Sequence, residues 1–375
     1  MHFQHVENIL FGSILSFVIT FYSIPVIILV ANWKKLYDLP GDRKIHSAPV
    51  PSLGGLGIFV GFMLGVLLFT NAQEVFGVFQ YFIACFIVIF FFGIKDDILM
   101  LSPMKKFMGQ MAVVAILMFK ANLLITNMYG FLNITYIDPA VSYLLTGFTI
   151  LVVMNAYNLI DGVDGLAGSL SVITCLSFGT FFLLSNDIFY ALLGYSFAAS
   201  LMAFLIYNYS PARIFMGDTG AMLAGAVNAI LVIRFIETGE QSQILPILTT
   251  PAIGFGILMI PLLDTLRVFA IRILHGRSPF SPDRNHVHHL MLDRGYSHRK
   301  ITLLLSGLSI LFIFLSYFAM PLGTTKVIGL QVLVFFLGIG VLKFYPKRNA
   351  QMRVIKGSKL DRQERLRRSV RNFLS

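Results

Sequence analysis

Residues 141–184 read VSYLLTGFTILVVMNAYNLIDGVDGLAGSLSVITCLSFGTFFLL, two apolar runs joined by a polar, glycine-containing elbow. Each run, 141–159 and 166–184, is 19 residues long, close to the ~20 a helix needs to cross a hydrocarbon core about 30 Å thick. Within the elbow, Asn155, Asn158, Asp161 and Asp164 recur at intervals of three, so a helical turn would bring neighbours in the series onto adjoining faces. The glycines at 162, 165 and 168 argue instead for a helix that ends, opens into a loop and restarts. Carboxylates and amides crowded where apolar spans meet water suggest a metal or phosphate site.

Outward from that elbow the whole chain is apolar. Hydrophobic residues make up 57% of its 375 positions and charged residues 13%, with a mean hydropathy of +0.79. Soluble domains sit nearer a quarter charged, so a soluble enzyme is excluded and a polytopic membrane protein is implied. No cleavable signal is expected, because residues 1–8 carry no Lys or Arg and no A-x-A site follows the first run. Cys85 and Cys175 both lie in apolar runs, where a thiol is a small hydrophobe rather than a disulfide or metal partner. The net charge of +11 is concentrated in the tail, where eleven Lys/Arg and two Asp/Glu follow from Lys343 onward. A basic segment just after a last span suits anionic lipid headgroups, not nucleic acid.

Eleven apolar spans are predicted, at 9–31, 53–70, 76–94, 107–126, 141–159, 166–184, 188–207, 221–236, 244–273, 301–319 and 327–344. Loops after the odd-numbered spans are basic, from Lys34, Lys35, Arg43 and Lys44 through Lys95, Lys105, Lys106 and Arg213 to the tail. The short connectors after even-numbered spans carry no Lys or Arg except Lys326 at the start of the last span, with Lys120 and Arg234 at span ends on that side. The positive-inside rule then places the N-terminus outside and the C-terminus in the cytoplasm, with every polar motif on the cytoplasmic face. The predicted fold is an all-α integral membrane protein of about eleven transmembrane helices with a cytoplasmic-face active-site cleft. Residues 1–345 form one transmembrane domain and 346–375 a basic tail, in which Leu366, Val370 and Phe373 are spaced for an amphipathic helix. The ninth span contains Pro251, Gly254, Gly256 and Pro261, so a kink is expected there. The external stretch 127–139 is rich in β-formers and predicts a small hairpin.

Four further groups carry chemistry. Asp96 and Asp97 directly follow the third span, where adjacent carboxylates repel and titrate together unless a cation relieves them. Asn158, Asp161 and Asp164 do not have EF-hand spacing, and although any one of them could cap a helix, three together suggest a site. Asp218 stands in MGDTGA before an apolar helix, where backbone N–H groups could meet an anion or Asp218 could serve as a cap. Phe215 is placed to stack on a base or simply to pack. His286, His288 and His289 sit among Arg277, Arg284 and Arg294. Without acidic or Cys ligands at metal spacing they suit a diphosphate better than zinc. Lys44 and His46 belong to a second basic turn, RKIH, ahead of the PVPSLGG start of span two. Asp264, three residues before Arg267, reads as an internal ion pair. A transporter using intramembrane carboxylates would place them near the bilayer middle, whereas these cluster at one face.

The strings DLPGDRKIHSAPVPSLGG, KDD, NAYNLIDGVDGLAG, YNYSPARIFMGDTGA and PLLDTLRVFAIRILHGRSPFSPDRNHVHH, in this order, resemble the polyprenyl-phosphate N-acetylhexosamine-1-phosphate transferases. The HVHH run is similar to that of the bacterial undecaprenyl-phosphate GlcNAc-1-phosphate transferase branch; the muramoyl-pentapeptide branch typically has three consecutive histidines. The resemblance implies transfer of a sugar 1-phosphate from a UDP-sugar to undecaprenyl phosphate, with release of UMP and start of a lipid-linked cell-envelope glycan. It also implies Mg²⁺, or Mn²⁺ in its place, a bacterial cytoplasmic membrane and a homodimer. Another UDP-N-acetylhexosamine, or UDP-MurNAc-pentapeptide, is the alternative donor. By motif, Asp218 and Asn158 are implied metal ligands. Asp96 and Asp97 would lie beside the acceptor phosphate with Asp96 as base, and Asp161 at the reacting phosphates. Asp164, Asn208, Phe215, Arg277, His286, His288, His289, Lys44 and His46 would bind substrate. DDILML lacks the third carboxylate some members carry after the pair, so no role passes to that position. A phospho-aspartyl intermediate and direct attack by the acceptor are both compatible with these residues.

Overall fold

The computed structural model describes residues 2–37, 50–71, 75, 77–242, 247–278 and 284–344. Lys44, His46 and the basic tail, with its expected amphipathic helix, lie outside the described residues. The chain is mostly helical: α1 (His2–Lys34), α2 (Gly54–Phe69), α3 (Phe79–Leu99), α4 (Pro103–Ala115, continued by a π turn to Lys120), α5 (Pro139–Ile160), α6 (Leu166–Leu184), α7 (Ile188–Asn208), α8 (Gly217–Thr238), α9 (Thr250–Ile257), α10 (Met259–Leu274), α11 (Val287–Leu292), α12 (His298–Phe318) and α13 (Thr324–Phe344). Seven of these, α1, α5, α6, α7, α8, α12 and α13, are long and apolar enough to cross a membrane. The other apolar runs are helical too, but α2 has 16 residues and α3 carries Lys95, Asp96 and Asp97 near its C-terminal end at Leu99. The run 244–273 is divided at Leu258 into α9 and α10, with Pro251 in the first turn of α9 and Pro261 in the first turn of α10.

Helix α8 is the axis of the bundle. Its apolar window is 94% buried, against 22% for α1 and α13 at the periphery. In a membrane, lipid tails are as apolar as side chains, so helices associate through close packing rather than water release, and small residues set how near they come. Two glycines do this for the helices that carry the acidic motifs. A Cβ on Gly225 of α8 would lie 2.4 Å from Met154 Cα of α5, and one on Gly93 of α3 would lie 2.4 Å from Thr219 Cα of α8. A buried polar chain fixes the register: Tyr157 Oη meets Thr174 Oγ1 at 3.0 Å, Thr174 donates to Asn228 Oδ1 at 2.5 Å, and Asn228 Nδ2 donates to Ser171 Oγ at 2.9 Å. It joins α5, α6 and α8 where unpaired polar groups would be costly.

The only strands among the described residues form the hairpin β1 (Asn127–Phe131) and β2 (Ile134–Tyr136), antiparallel, in the stretch where β-formers cluster. Its turn places Leu132 and Asn133 at positive φ. Leu132 N donates to Thr325 Oγ1 at 2.7 Å and Thr126 N to Glu237 Oε1 at 2.8 Å, so the hairpin ties α13 and α8 together at the bundle end opposite the acidic motifs.

Candidate active site

At the other end of the bundle, the C-terminal ends of α3 and α5 meet the N-terminal ends of α4, α8 and α12 around a cavity of about 790 Å³. Asp96, Asp97, Asn158, Asp161, Asp164, Asn208, Phe215, Asp218 and His289 all line it. Segments far apart in sequence thus deliver the expected acidic residues to one space. Among the other lining residues, Lys35, Lys106 and His298 are basic side chains to which the sequence reading gave no site role.

Asp97 is a helix cap supplied from another helix. Its Oδ1 accepts from Asp218 N at 2.6 Å, and its Oδ2 from Thr219 N at 3.2 Å and Thr219 Oγ1 at 2.6 Å. Two N–H groups of the first turn of α8, those of Asp218 and Thr219, are therefore taken by a protein carboxylate rather than presented to a substrate anion. A carboxylate at a helix N-terminus meets the positive end of the dipole. Burial nevertheless pushes Asp97 up to about 7, with the Asp218 charge adding and the Thr219 hydrogen bond opposing.

Asp96, 5% exposed, accepts from Leu101 N at 2.6 Å through Oδ1, and its Oδ2 forms an ion pair with Lys106. Burial raises its carboxyl above the usual range while Lys106 opposes. Lys106 Nζ also lies 3.1 Å from Asp218 Oδ1, and the same oxygen receives Asn158 Nδ2 at 2.5 Å. Pro103 at the first turn of α4 sets the helix that aims Lys106 here.

Asp161 follows α5 directly and accepts no hydrogen bond among the described residues. Burial, then the charges of Asp218, Asp97 and Asp164, push its carboxyl well above the usual range. Asp164 is anchored: its Oδ2 accepts from Ala212 N at 3.2 Å, its Oδ1 lies 3.1 Å from His298 Nδ1, and its carbonyl accepts from Thr302 Oγ1 at 2.9 Å. Asn208 is anchored too, accepting from Gly165 N at 2.9 Å and donating to Ile214 O at 2.8 Å. Its amide organises the loops that frame the cavity. Phe215 is held by its backbone, donating to Pro51 O at 2.8 Å and accepting from Gly54 N at 2.9 Å. Asn155 points away and pairs with Gln110.

The His/Arg loop divides in two. His289 lines the cavity, half-buried, with burial lowering its basicity. His286 does not line it: its Nδ1 lies 2.9 Å from Asp264 Oδ2, and Asp264 Oδ1 accepts from Arg267 Nη2 at 2.8 Å and Val287 N at 3.0 Å. The expected Asp264–Arg267 ion pair is thus present, and it staples α11 to α10. His288 is 1% exposed and lies so close to Gly162 that a Cβ there would come within 2.5 Å of Nε2. Burial and its neighbour His289 push His288 down to about 3, so it is neutral. Arg277 is exposed and does not line the cavity.

Carboxylates outnumber the lysines that line the cavity, Lys35 and Lys106, and Lys106 is the one paired with Asp96 and Asp218. Among the described residues no three His, Cys, Asp or Glu side chains converge into a closed metal cage. The donor set facing the cavity is rich in carboxylate and amide oxygen. It fits Mg²⁺, which usually takes one or two carboxylates and completes its shell with water and phosphate oxygens. Asp218, Asn158 and Asp161 are the side chains whose oxygens suit that purpose.

Residues 79–236 match the family described as Glycosyl transferase family 4. A Bacillus subtilis (strain 168) protein described as a probable undecaprenyl-phosphate N-acetylglucosaminyl 1-phosphate transferase is 30% identical over 369 residues, covering 94% of this chain and 99% of its own. A Mycobacterium leprae (strain TN) decaprenyl-phosphate N-acetylglucosaminephosphotransferase is 31% identical over 311 residues, 77% of this chain and 78% of its own. An Escherichia coli (strain K12) undecaprenyl-phosphate alpha-N-acetylglucosaminyl 1-phosphate transferase is 30% identical over 289 residues, 74% of each.

Proposed function

Since this chain belongs to the polyprenyl-phosphate N-acetylglucosamine-1-phosphate transferases of glycosyl transferase family 4, we propose that it moves GlcNAc-1-phosphate from UDP-GlcNAc to undecaprenyl phosphate, releasing UMP. The observation that carries this reading is the convergence of Asp96, Asp97, Asp161, Asp164 and Asp218 with Asn158 and Lys106 on one cavity at one end of the bundle. The loop charges support an arrangement of eleven crossings in a bacterial cytoplasmic membrane with that end facing the cytoplasm, where a nucleotide sugar would be met.

Attack of one phosphate on another requires the charge of both to be offset. Lys106 provides a fixed positive charge between Asp96 and Asp218. Asp218 and Asn158 would hold Mg²⁺, with Asp161 facing the same space. When bound, Mg²⁺ supplies Lewis-acid polarisation of phosphoryl oxygens and neutralises developing charge. Asp97 keeps the start of α8, and so Asp218, in place. Asp96, held by Lys106 and Leu101 N, is the carboxylate beside which the acceptor phosphate would rest. Since that phosphate is already ionised, its positioning matters more than proton removal. His289 and Phe215 are side chains at the rim against which the donor's diphosphate and base would lie.

The test is UMP release by purified protein, measured with and without undecaprenyl phosphate and Mg²⁺ across a panel of UDP-N-acetylhexosamines. Release that needs both and is fastest with UDP-GlcNAc is expected. A faster turnover with another donor would change the assigned sugar, and no acceptor-dependent release with any donor would overturn the reading.

A further inference from the structure

Among the described residues nothing holds the Asp161 side chain. Its placement is inherited from the loop 161–165, and that loop is gripped from outside. Three side chains in the first two turns of α12 end on the loops framing the cavity. His298 Nδ1 accepts from Asp164 N at 3.2 Å and lies 3.1 Å from Asp164 Oδ1, Thr302 Oγ1 donates to the Asp164 carbonyl at 2.9 Å, and Arg299 Nε donates to Ser210 O at 2.6 Å. Asp164 in turn accepts from Ala212 N through Oδ2 at 3.2 Å, so it joins both loops to the one helix. The packing leaves little slack: a Cβ on Gly165 would lie 3.1 Å from the Tyr209 ring and 3.7 Å from Thr302 Cγ2.

Loops that place reacting groups need support from rigid elements, because displacements near 1 Å are costly to rate. We propose that the N-terminal turns of α12 are a positioning clamp for the loop 161–165, with His298 as its pivot, acting through Asp164 to hold Asp161 in register with Asp218. The role rests on the transferase reading for its effect on turnover but not for its effect on the loop. His298 is then a positioning residue, and the atom that matters is Nδ1.

That atom makes the test specific. The side-chain amide of Asn can put its oxygen at the place of Nδ1 and accept from Asp164 N, whereas the amide of Gln reaches the place of Nε2. His298→Asn, His298→Gln, His298→Ala and Thr302→Val would be compared in the full-length protein. The readouts are amide hydrogen exchange of 161–165, kcat and KM for UDP-GlcNAc, and Tm. We expect Ala and Gln to speed exchange in this loop and lower kcat, each about tenfold, with KM changed less than about threefold and Asn within about threefold of the parent. Thr302→Val should shift both readouts in the same direction by less. Loop exchange unchanged in His298→Ala, Asn no better than Gln, or exchange rising equally throughout the chain would each overturn the clamp. Exchange does not depend on turnover, so a chain inactive on every donor would defeat the transferase reading while the clamp is still decided.

Discussion

Lys106 Nζ makes an ion pair with Asp96 and, at 3.1 Å, with Asp218 Oδ1, joining the end of α3 to the start of α8 through the first turns of α4. Burial alone would weaken a lysine's charge, yet the two carboxylates win and hold Lys106 above its ordinary value. It is therefore a permanent cation in a cavity built of carboxylates. Replacing it with Met keeps the stem and removes the charge. We expect kcat to fall about 10²- to 10³-fold, the scale of losing one charge-stabilising donor in a sheltered site. Lys106→Arg should recover part of the loss. Steady-state UMP release measures both, and parental turnover in the Met variant would show that this charge is dispensable.

Asp218→Asn removes charge at the oxygen shared by Lys106 and Asn158 while keeping shape and the backbone N–H that Asp97 accepts. Turnover should drop below detection with Tm within a few degrees of the parent. The Mn²⁺ affinity of the same variant, followed by electron paramagnetic resonance, should fall by at least about tenfold. Unchanged Mn²⁺ binding would refute its role as a metal ligand.

The acidic members of this site were legible because Asp and Asn are costly next to apolar spans, so their presence at 96–97, 158–164 and 218 stands out against the chain around them. The helices were legible from run length. What the residues do to one another was not. Asp97 has the same one-letter context as a solvent-facing partner of Asp96, and only the approach of Gly93 to Thr219 makes it a cap for α8. Lys106 reads as an ordinary loop cation until α3 and α4 are packed together. His286 and His288 share a motif with His289, but Asp264 claims one and Gly162 buries the other. His298 carried no signal beyond lying before an apolar helix.

His288 gives the protein an acid limit. Its ring faces His286, His289 and His298, with Asp264 the nearby carboxylate, and its Nδ1 has no hydrogen-bond partner among the described residues. The folded pKa lies near 3, against 6.5 for an ordinary imidazole. Between those values the unfolded chain binds a proton that the folded protein refuses. The contribution to stability is therefore complete above about pH 6.5 and declines by about 1.4 kcal/mol per unit as pH falls towards 3. His288→Phe keeps a ring and removes the titration. Thermal unfolding in detergent from pH 7.5 to 4.5 should show a shallower fall in Tm for this variant than for the parent. Parallel curves would assign the acid sensitivity elsewhere.

Gly225 tests whether the spacing of α5 and α8 governs the site at a distance. It lies seven residues after Asp218, about 10 Å along α8 at 1.5 Å per residue, and Met154 lies four residues before Asn158. Because the atom facing a Cβ at 225 is backbone, 2.4 Å away, no rotamer change can make room and the two helices must separate. Overpacking of this kind costs about 1–3 kcal/mol. The separation also pulls Asn158 from Asp218, now 2.5 Å apart, and a misplacement near 1 Å can cost about 10² in rate. Gly225→Ala should thus lose about 10² in kcat while still folding. Gly338→Ala on α13 is the control: nothing lies within 4 Å of its Cβ, so it should leave turnover unchanged and stabilise the helix by up to ~1 kcal/mol. If Gly225→Ala turned over like the parent, the α5–α8 spacing could not be what aligns Asn158 with Asp218.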